Sequence, residues 1–225
     1  TADLVVLALG ENLFLGREAW GDNHLGDRPT FDLTESQQAL AHAVLATGKP
    51  VVLYLMNGRP VSLGQLGEQI PAILTGHYNG QQTGNAAADV LFGKANPSGK
   101  LTVSWPRSVG HQPAHYNQHS SGNVFDYVDS PLKAVYPFGH GLSYTTFEYG
   151  SPRLSQTTIR PGESVQVSID VANRGARSGD EIVQVYVTGE SFPIARPRLE
   201  LKGFARISLK PGETKTVNVQ ISADD

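Results

Sequence analysis

DLVVLALG, residues 3–10, is a continuous apolar run closed by a glycine, and PVVLYLMN at 50–57 repeats the pattern. Runs of this kind read as strands of a sheet covered on both faces. Between them, LTESQQALAHAVLATGKP places Ala39, Leu40, Ala43 and Val44 at helical spacing. Thr34 with Gln37 predicts a capping box at the start of that helix, and Gly48 with Pro50 predicts its stop. IPAILTG (70–76) reads as a third strand, GNAAADVLFG (84–93) as a short helix and KLTVSWP (100–106) as a fourth strand. Strand–helix–strand order predicts an α/β layered (α/β/α) sandwich with a mostly parallel sheet.

From about Phe147 the texture changes. SVQVSIDVANRG (164–175), DEIVQVYVTG (180–189), LELKGFARISL (199–209) and TKTVNVQIS (214–222) alternate with period two, separated by the turn clusters RPGE, NRGARSGD and KPGE. Short strands in series without a helix predict an all-β immunoglobulin-like sandwich. The expected organisation is an α/β domain over residues 1–110, a linker and site-edge loop over 111–146, and a β-sandwich over 147–225. The opening straight into a strand predicts that the first domain is N-terminally incomplete. The shortfall against the ~100 residues of such a sandwich predicts that the second is C-terminally incomplete. The chain is therefore expected to be part of a longer polypeptide.

Composition narrows the classes. The 225 residues allow two domains with real cores, and a net charge of −3 gives no reason to expect nucleic acid or an anionic membrane as partner. No cysteine is present, which excludes disulfides, thiolate metal sites and cysteine nucleophiles. The run Val51–Met56 is far too short to span a bilayer, and no signal peptide is read at the start. GKANPSGKL (93–101) imitates a phosphate loop but has the wrong glycine spacing and leads into a predicted strand, so it reads as a turn. FGHGLS (138–143) lacks the third glycine of a dinucleotide loop. His111, His115 and His119 stand four residues apart, but Pro113 argues against the helix that would make them a zinc face. No GxSxG elbow offers a serine nucleophile. Neither a metal nor a cofactor is expected.

The chemistry concentrates in LGREAWGDNHLGDR (15–28), just past the first strand, where α/β sheets bind ligands. Arg17, Glu18, Asp22, His24, Asp27 and Arg28 crowd there among Gly16, Gly21, Gly26 and Trp20. Glu18 stands out. A carboxyl group beside an aromatic wall loses hydration, which suits a general acid, while nearby arginines oppose that effect. The alternatives stay open: Glu18 paired with Arg17 or Arg28 to staple the loop, Glu11 as the acid instead, and Trp20 as a sugar-stacking platform or as core. Asp27, next to Arg28, reads as a turn cap. Hydrolysis with retention needs two carboxyl groups ~5–5.5 Å apart, and no second acid in the chain presents itself as nucleophile.

At this point the chain resembles the C-terminal half of glycoside hydrolase family 3 enzymes, exo-acting β-glucosidases and β-xylosidases. The resemblance runs through VVLALGENLFLGREAWGDNHLGDR, GKPVVLYLMNGRPV, GNAAADVLFGKANPSGKLTVSWPRSVGHQP, YPFGHGLSYTTFEY and RPRLELKGFARISLKPGETKTVNVQI. It implies a fibronectin type III-like sandwich and an N-terminal (β/α)8 barrel, absent here, that carries an aspartate nucleophile. It implies Glu18 as the acid/base, followed by Asp27 and Arg28 as the trailing pair, and Glu11 as structural. It also implies Trp20 at the aglycone side of the pocket, with the His111–His119 loop at its rim. The expected partners are a β-linked oligosaccharide or glucoside and the missing barrel; a homodimer is compatible with the sequence, and no nucleic acid or membrane is called for. Family resemblance favours the periplasm or secretion. The isolated chain is expected to be inactive. The competing reading is a non-catalytic carbohydrate-binding or scaffolding module, which predicts exposed aromatics on the sandwich, where aromatics are few, Tyr186, Phe192 and Phe204 among them.

Overall fold

A computed structural model describes residues 2–16, 28–119, 125–189 and 195–223 of the chain. It separates into two compact units that are not contiguous in sequence. One comprises Thr1–Leu91, Val103–Ala114 and Phe125–Pro137; the other comprises Phe92–Thr102, His115–Val124 and Phe138–Asp225.

The first unit is built on a parallel sheet in the order β1 (Val5–Gly10), β2 (Val51–Met56), β3 (Ala72–Thr75). Register places Leu7 beside Leu53 and Ile73, and Leu9 beside Leu55 and Thr75. Leu7, Leu9, Val51, Leu53 and Leu55 are buried on this face. The opposite face differs from expectation at β1. Tyr54 of β2 is buried there, but Val6 is 46 % exposed. Among the described residues β2 has a strand on each side and β1 has one neighbour.

Helix α1 (Leu13–Gly16) follows β1, and α2 (Glu35–Leu45) precedes β2 with Ala41 fully buried. The helix stops where expected. Gly48 takes φ 69° and its N–H donates to the Leu45 carbonyl. The capping box does not form: Thr34 makes no side-chain cap hydrogen bond. Gln37 instead turns to Gly10, accepting from its N–H at 2.9 Å and donating to its carbonyl at 2.7 Å. Two unpaired backbone groups at a strand end compete better for that amide than a helix start open to water.

Helices α3 (Leu66–Gln69) and α4 (Thr83–Leu91) complete the layer. The fourth predicted strand, KLTVSWP, does not join the parallel sheet. Leu101 exchanges backbone bonds with Gly139 and His140, and Trp105 with Val135 and Tyr136. The apolar run found an antiparallel partner in the 135–140 stretch, which satisfies its backbone equally well.

The second unit is the β-sandwich. Strands β4 (Phe147–Tyr149), β5 (Arg153–Leu154), β6 (Ser164–Asn173) and β9 (Thr214–Ser222) form one antiparallel sheet; β7 (Gly179–Val187) and β8 (Glu200–Leu209) form the other. Val171, Val217 and Val219 from the first sheet meet Val183 and Leu209 from the second in a dry core, with Phe147, Ile169 and Ile207 packed against it. The period-two pattern of the sequence is the imprint of this arrangement. The protein is thus an α/β layer followed along the chain by a fibronectin type III-like sandwich. No described helix is long and apolar enough to cross a membrane.

Candidate functional site

The three parallel strands end at one level, since Gly10 pairs with Met56, and Leu55 with Thr75. The loops that leave them interlock. Gly10 adopts φ 154°, and a Cβ there would stand 1.8 Å from the Met56 carbonyl oxygen, so only glycine lets β1 pass so close to β2. The next residue, Glu11, is gripped from three sides. Its N–H donates to the Met56 carbonyl at 2.9 Å. Its carbonyl accepts the Tyr78 hydroxyl at 2.9 Å. Its carboxylate receives Arg59 through Nε at 2.8 Å and Nη2 at 3.3 Å. The pair is largely withdrawn from water, with Glu11 7 % and Arg59 26 % exposed at the side chain.

The supports are themselves held. Asn57, fully buried, donates to the Arg59 carbonyl at 2.5 Å and accepts the Thr75 hydroxyl at 3.0 Å. The Tyr78 ring lies over Gly58, where a Cβ would come within 2.5 Å of ring carbon Cε2. His77, between strand and tyrosine, takes the left-handed φ of 57°, an unusual conformation for a residue with a side chain. Asn12 accepts from the N–H groups of Phe14 and Leu15 at 3.0 Å each and so starts α1.

Glu18 and Trp20, with Arg17, Asp22, His24 and Asp27, lie outside the described residues. Arg28 donates to the Asp32 carbonyl at 3.1 Å. Both Glu11 oxygens are committed to a guanidinium, which is the arrangement of a structural carboxylate rather than of an acid facing a substrate. His111 is buried in the first unit, its ring nitrogens within reach of the Ser108 hydroxyl (2.9 Å) and the Pro131 carbonyl (3.1 Å), with Tyr127 edge-on. His115 and His119 belong to the second unit, and His119 bridges to Pro197. Among the described residues no group of three or more His, Cys, Asp or Glu is placed to hold a metal.

In the second unit Lys100, from the stretch that imitates a phosphate loop, is a structural cation. Its Nζ meets Glu181 at 3.1 Å and donates to the Gly141 carbonyl at 2.9 Å. Tyr149 donates to the same carboxylate at 2.8 Å. Burial, and then that hydrogen bond, push the Tyr149 hydroxyl above its usual range. Reading the sequence alone missed Arg59, Tyr78, Asn57 and the true partner of Gln37. NGRP reads as a turn, and nothing local ties it to a residue 48 positions earlier.

A parallel α/β layer with interlocked strand exits, continued into a fibronectin-like sandwich, defines the class. Within it, the chain belongs to glycoside hydrolase family 3. The Glycosyl hydrolase family 3 C-terminal domain matches residues 1–144, and the Fibronectin type III-like domain matches residues 181–225. The chain is 44 % identical to a beta-xylosidase of Formosa agariphila over all of its own length and 31 % of the relative's. It is 42 % identical to a periplasmic beta-glucosidase of Salmonella typhimurium over 99 % of its own length and 30 % of that protein's. Among solved structures it is similar to a β-glucosidase from Erythrobacter marinus, with TM-score 0.93 and 42 % identity over 99 % of this chain and 30 % of that one. A beta-glucosidase from Listeria innocua, solved in complex with glucose, gives TM-score 0.85 and 37 % identity over 98 % of this chain and 31 % of that one. The chain thus spans about a third of the length of the curated relatives it matches.

Proposed function

We propose that this chain is part of a retaining, exo-acting β-glycosidase that removes terminal non-reducing β-D-glucosyl residues, and that it contributes the acid/base glutamate, Glu18. The observation that carries the reading is the family match over residues 1–144, a span that includes Glu18, eight positions after the last residue of β1. The nucleophile is an aspartate of a (β/α)8 barrel in the part of the polypeptide outside this chain. In the first step the aspartate carboxylate attacks the anomeric carbon, the bond to the leaving oxygen breaks, and the Glu18 carboxyl gives that oxygen its proton. In the second, the Glu18 carboxylate takes a proton from water, the water oxygen bonds to the anomeric carbon, and the aspartate leaves as carboxylate. Trp20 borders the aglycone side. Residues 1–110 act as the α/β domain that delivers the acid, 111–146 as linker and site edge, and 147–225 as the sandwich. By itself the chain is inactive, because one carboxylate cannot perform both roles.

The test is hydrolysis of aryl β-glucosides and β-xylosides by the full-length protein, by its Glu18→Ala variant and by the isolated chain. Glu18→Ala is expected to lose turnover by about 100-fold or more on glucosides with poor leaving groups, with azide restoring part of it on activated ones. Activity of the isolated chain would overturn the division of labour. Full activity of Glu18→Ala would move the acid elsewhere.

A further inference from the structure

We infer that the largely desolvated Glu11–Arg59 pair is a positioning device for the acid/base Glu18, with Arg59 as the positioning residue; the inference rests on the assignment of Glu18 above. Four residues spend polar groups on two consecutive ones: Gln37 of α2 on Gly10, and Met56, Arg59 and Tyr78 on Glu11. Thermodynamic stability is a poor reason for this, because a buried ion pair is often no better than a well-packed apolar pair. Direction is a better one. Glu11 is followed at once by Asn12, whose side chain starts α1, and α1 ends at Gly16, two residues before Glu18. With Glu11 fixed by its carboxylate, its carbonyl and its N–H, the departure of α1 from the sheet is fixed as well. Proton transfer depends on placement, and a displacement of ~1 Å costs on the order of 100-fold in rate. Arg59 does this work better than lysine could, since its planar fork holds both carboxylate oxygens at once.

The test uses the full-length protein and compares kcat/KM on 2,4-dinitrophenyl β-glucoside, whose leaving group needs no proton, with phenyl β-glucoside, whose leaving group does. Arg59→Met is expected to reduce kcat/KM on the phenyl glucoside by on the order of 100-fold, while the dinitrophenyl value stays within about threefold. Arg59→Lys should fall between wild type and Arg59→Met. Asp170→Asn, which removes an ion pair in the sandwich, should leave the ratio of the two substrates unchanged. A purely structural role lowers both substrates equally, through the folded fraction, and that result overturns the inference. So does an unchanged ratio in Arg59→Met while Glu18→Ala shows the selective loss. Should Arg59→Met fail to fold, Arg59→Lys and Glu11→Gln carry the same comparison. If Glu18→Ala itself shows no leaving-group selectivity, the acid assignment has failed and this inference falls with it, so the Glu18 arm separates the two failures.

Discussion

Asn173, at the end of β6, has no exposed surface and uses its whole amide. Its oxygen accepts the Thr145 hydroxyl at 2.6 Å and the Gly175 N–H at 3.1 Å; its nitrogen donates to the carbonyls of Arg177 (2.7 Å) and Leu209 (3.1 Å). One side chain thus joins both sheets of the sandwich to the turn between β6 and β7. Asn173→Ala would leave several of these groups without partners, at about 1–3 kcal/mol for each that stays dry. Urea unfolding is expected to show a loss of about 3 kcal/mol or more, and a loss below about 1 kcal/mol would mean that water replaces the amide freely. In the sequence this residue is only the first letter of a turn cluster, NRG. Glu11 presents the same problem in reverse. It was visible as a rival acid, but its partners lie 48 and 67 positions away, and residues that meet only through folding leave no local signal.

At the level of strands and helices, the sequence is a better guide. β6, β7, β8 and β9 follow from alternation alone, because every second residue faces a dry core. β4 and β5 are too short for a period to show. KLTVSWP misleads because apolar content marks a strand-like segment without naming its partner. Between β6 and its neighbours, one cross-strand cluster has a measurable consequence. Asp170 receives Arg153 through two nitrogens, at 2.8 and 3.1 Å, and the Thr216 hydroxyl at 2.6 Å. Arg153 and then Thr216 hold its carboxyl at about 2, below the ordinary 3.8. A carboxylate with a lowered folded-state pKa contributes stability that is fully present above its unfolded value and lost as pH falls through the folded one. The sandwich is therefore expected to weaken between pH about 4 and about 2, and Asp170→Asn to flatten that part of the profile. The check is the urea midpoint of both proteins across that range; parallel curves would exclude Asp170 as a contributor.

For the molecule entire, the interleaving of the two units is the main constraint. Lys100 and Asn96 belong to Phe92–Thr102, and Tyr116 to His115–Val124, yet all three serve the sandwich unit. Asn96 donates to the Ser178 carbonyl and accepts from Ser143, while Tyr116 stacks on Phe138 at 4.0 Å and meets Tyr186 edge-on. A fragment covering 138–225 keeps every sandwich strand but loses these contacts and leaves Glu181 buried without its lysine. It is expected to unfold with a broad, weak transition where the 225-residue chain unfolds sharply, read by calorimetry on both. A fragment that melted as sharply as the chain would show that the preceding segments are dispensable. The change in texture near residue 147 reports where strands begin, not which earlier segments contact them.

The Lys100–Glu181 contact also sets an order of events during synthesis. Its two members are separated by 81 residues, so at ordinary translation speeds the ammonium leaves the ribosome roughly 4–16 s before the carboxylate it will meet. For about the first half of that interval, until the 139–141 stretch that bonds Leu101 and Lys100 emerges, the Phe92–Thr102 strap must stay hydrated and uncommitted. Its two lysines, two glycines, asparagine and proline suit such a wait, and its large apolar side chains, Phe92 and Leu101, stand apart near its two ends.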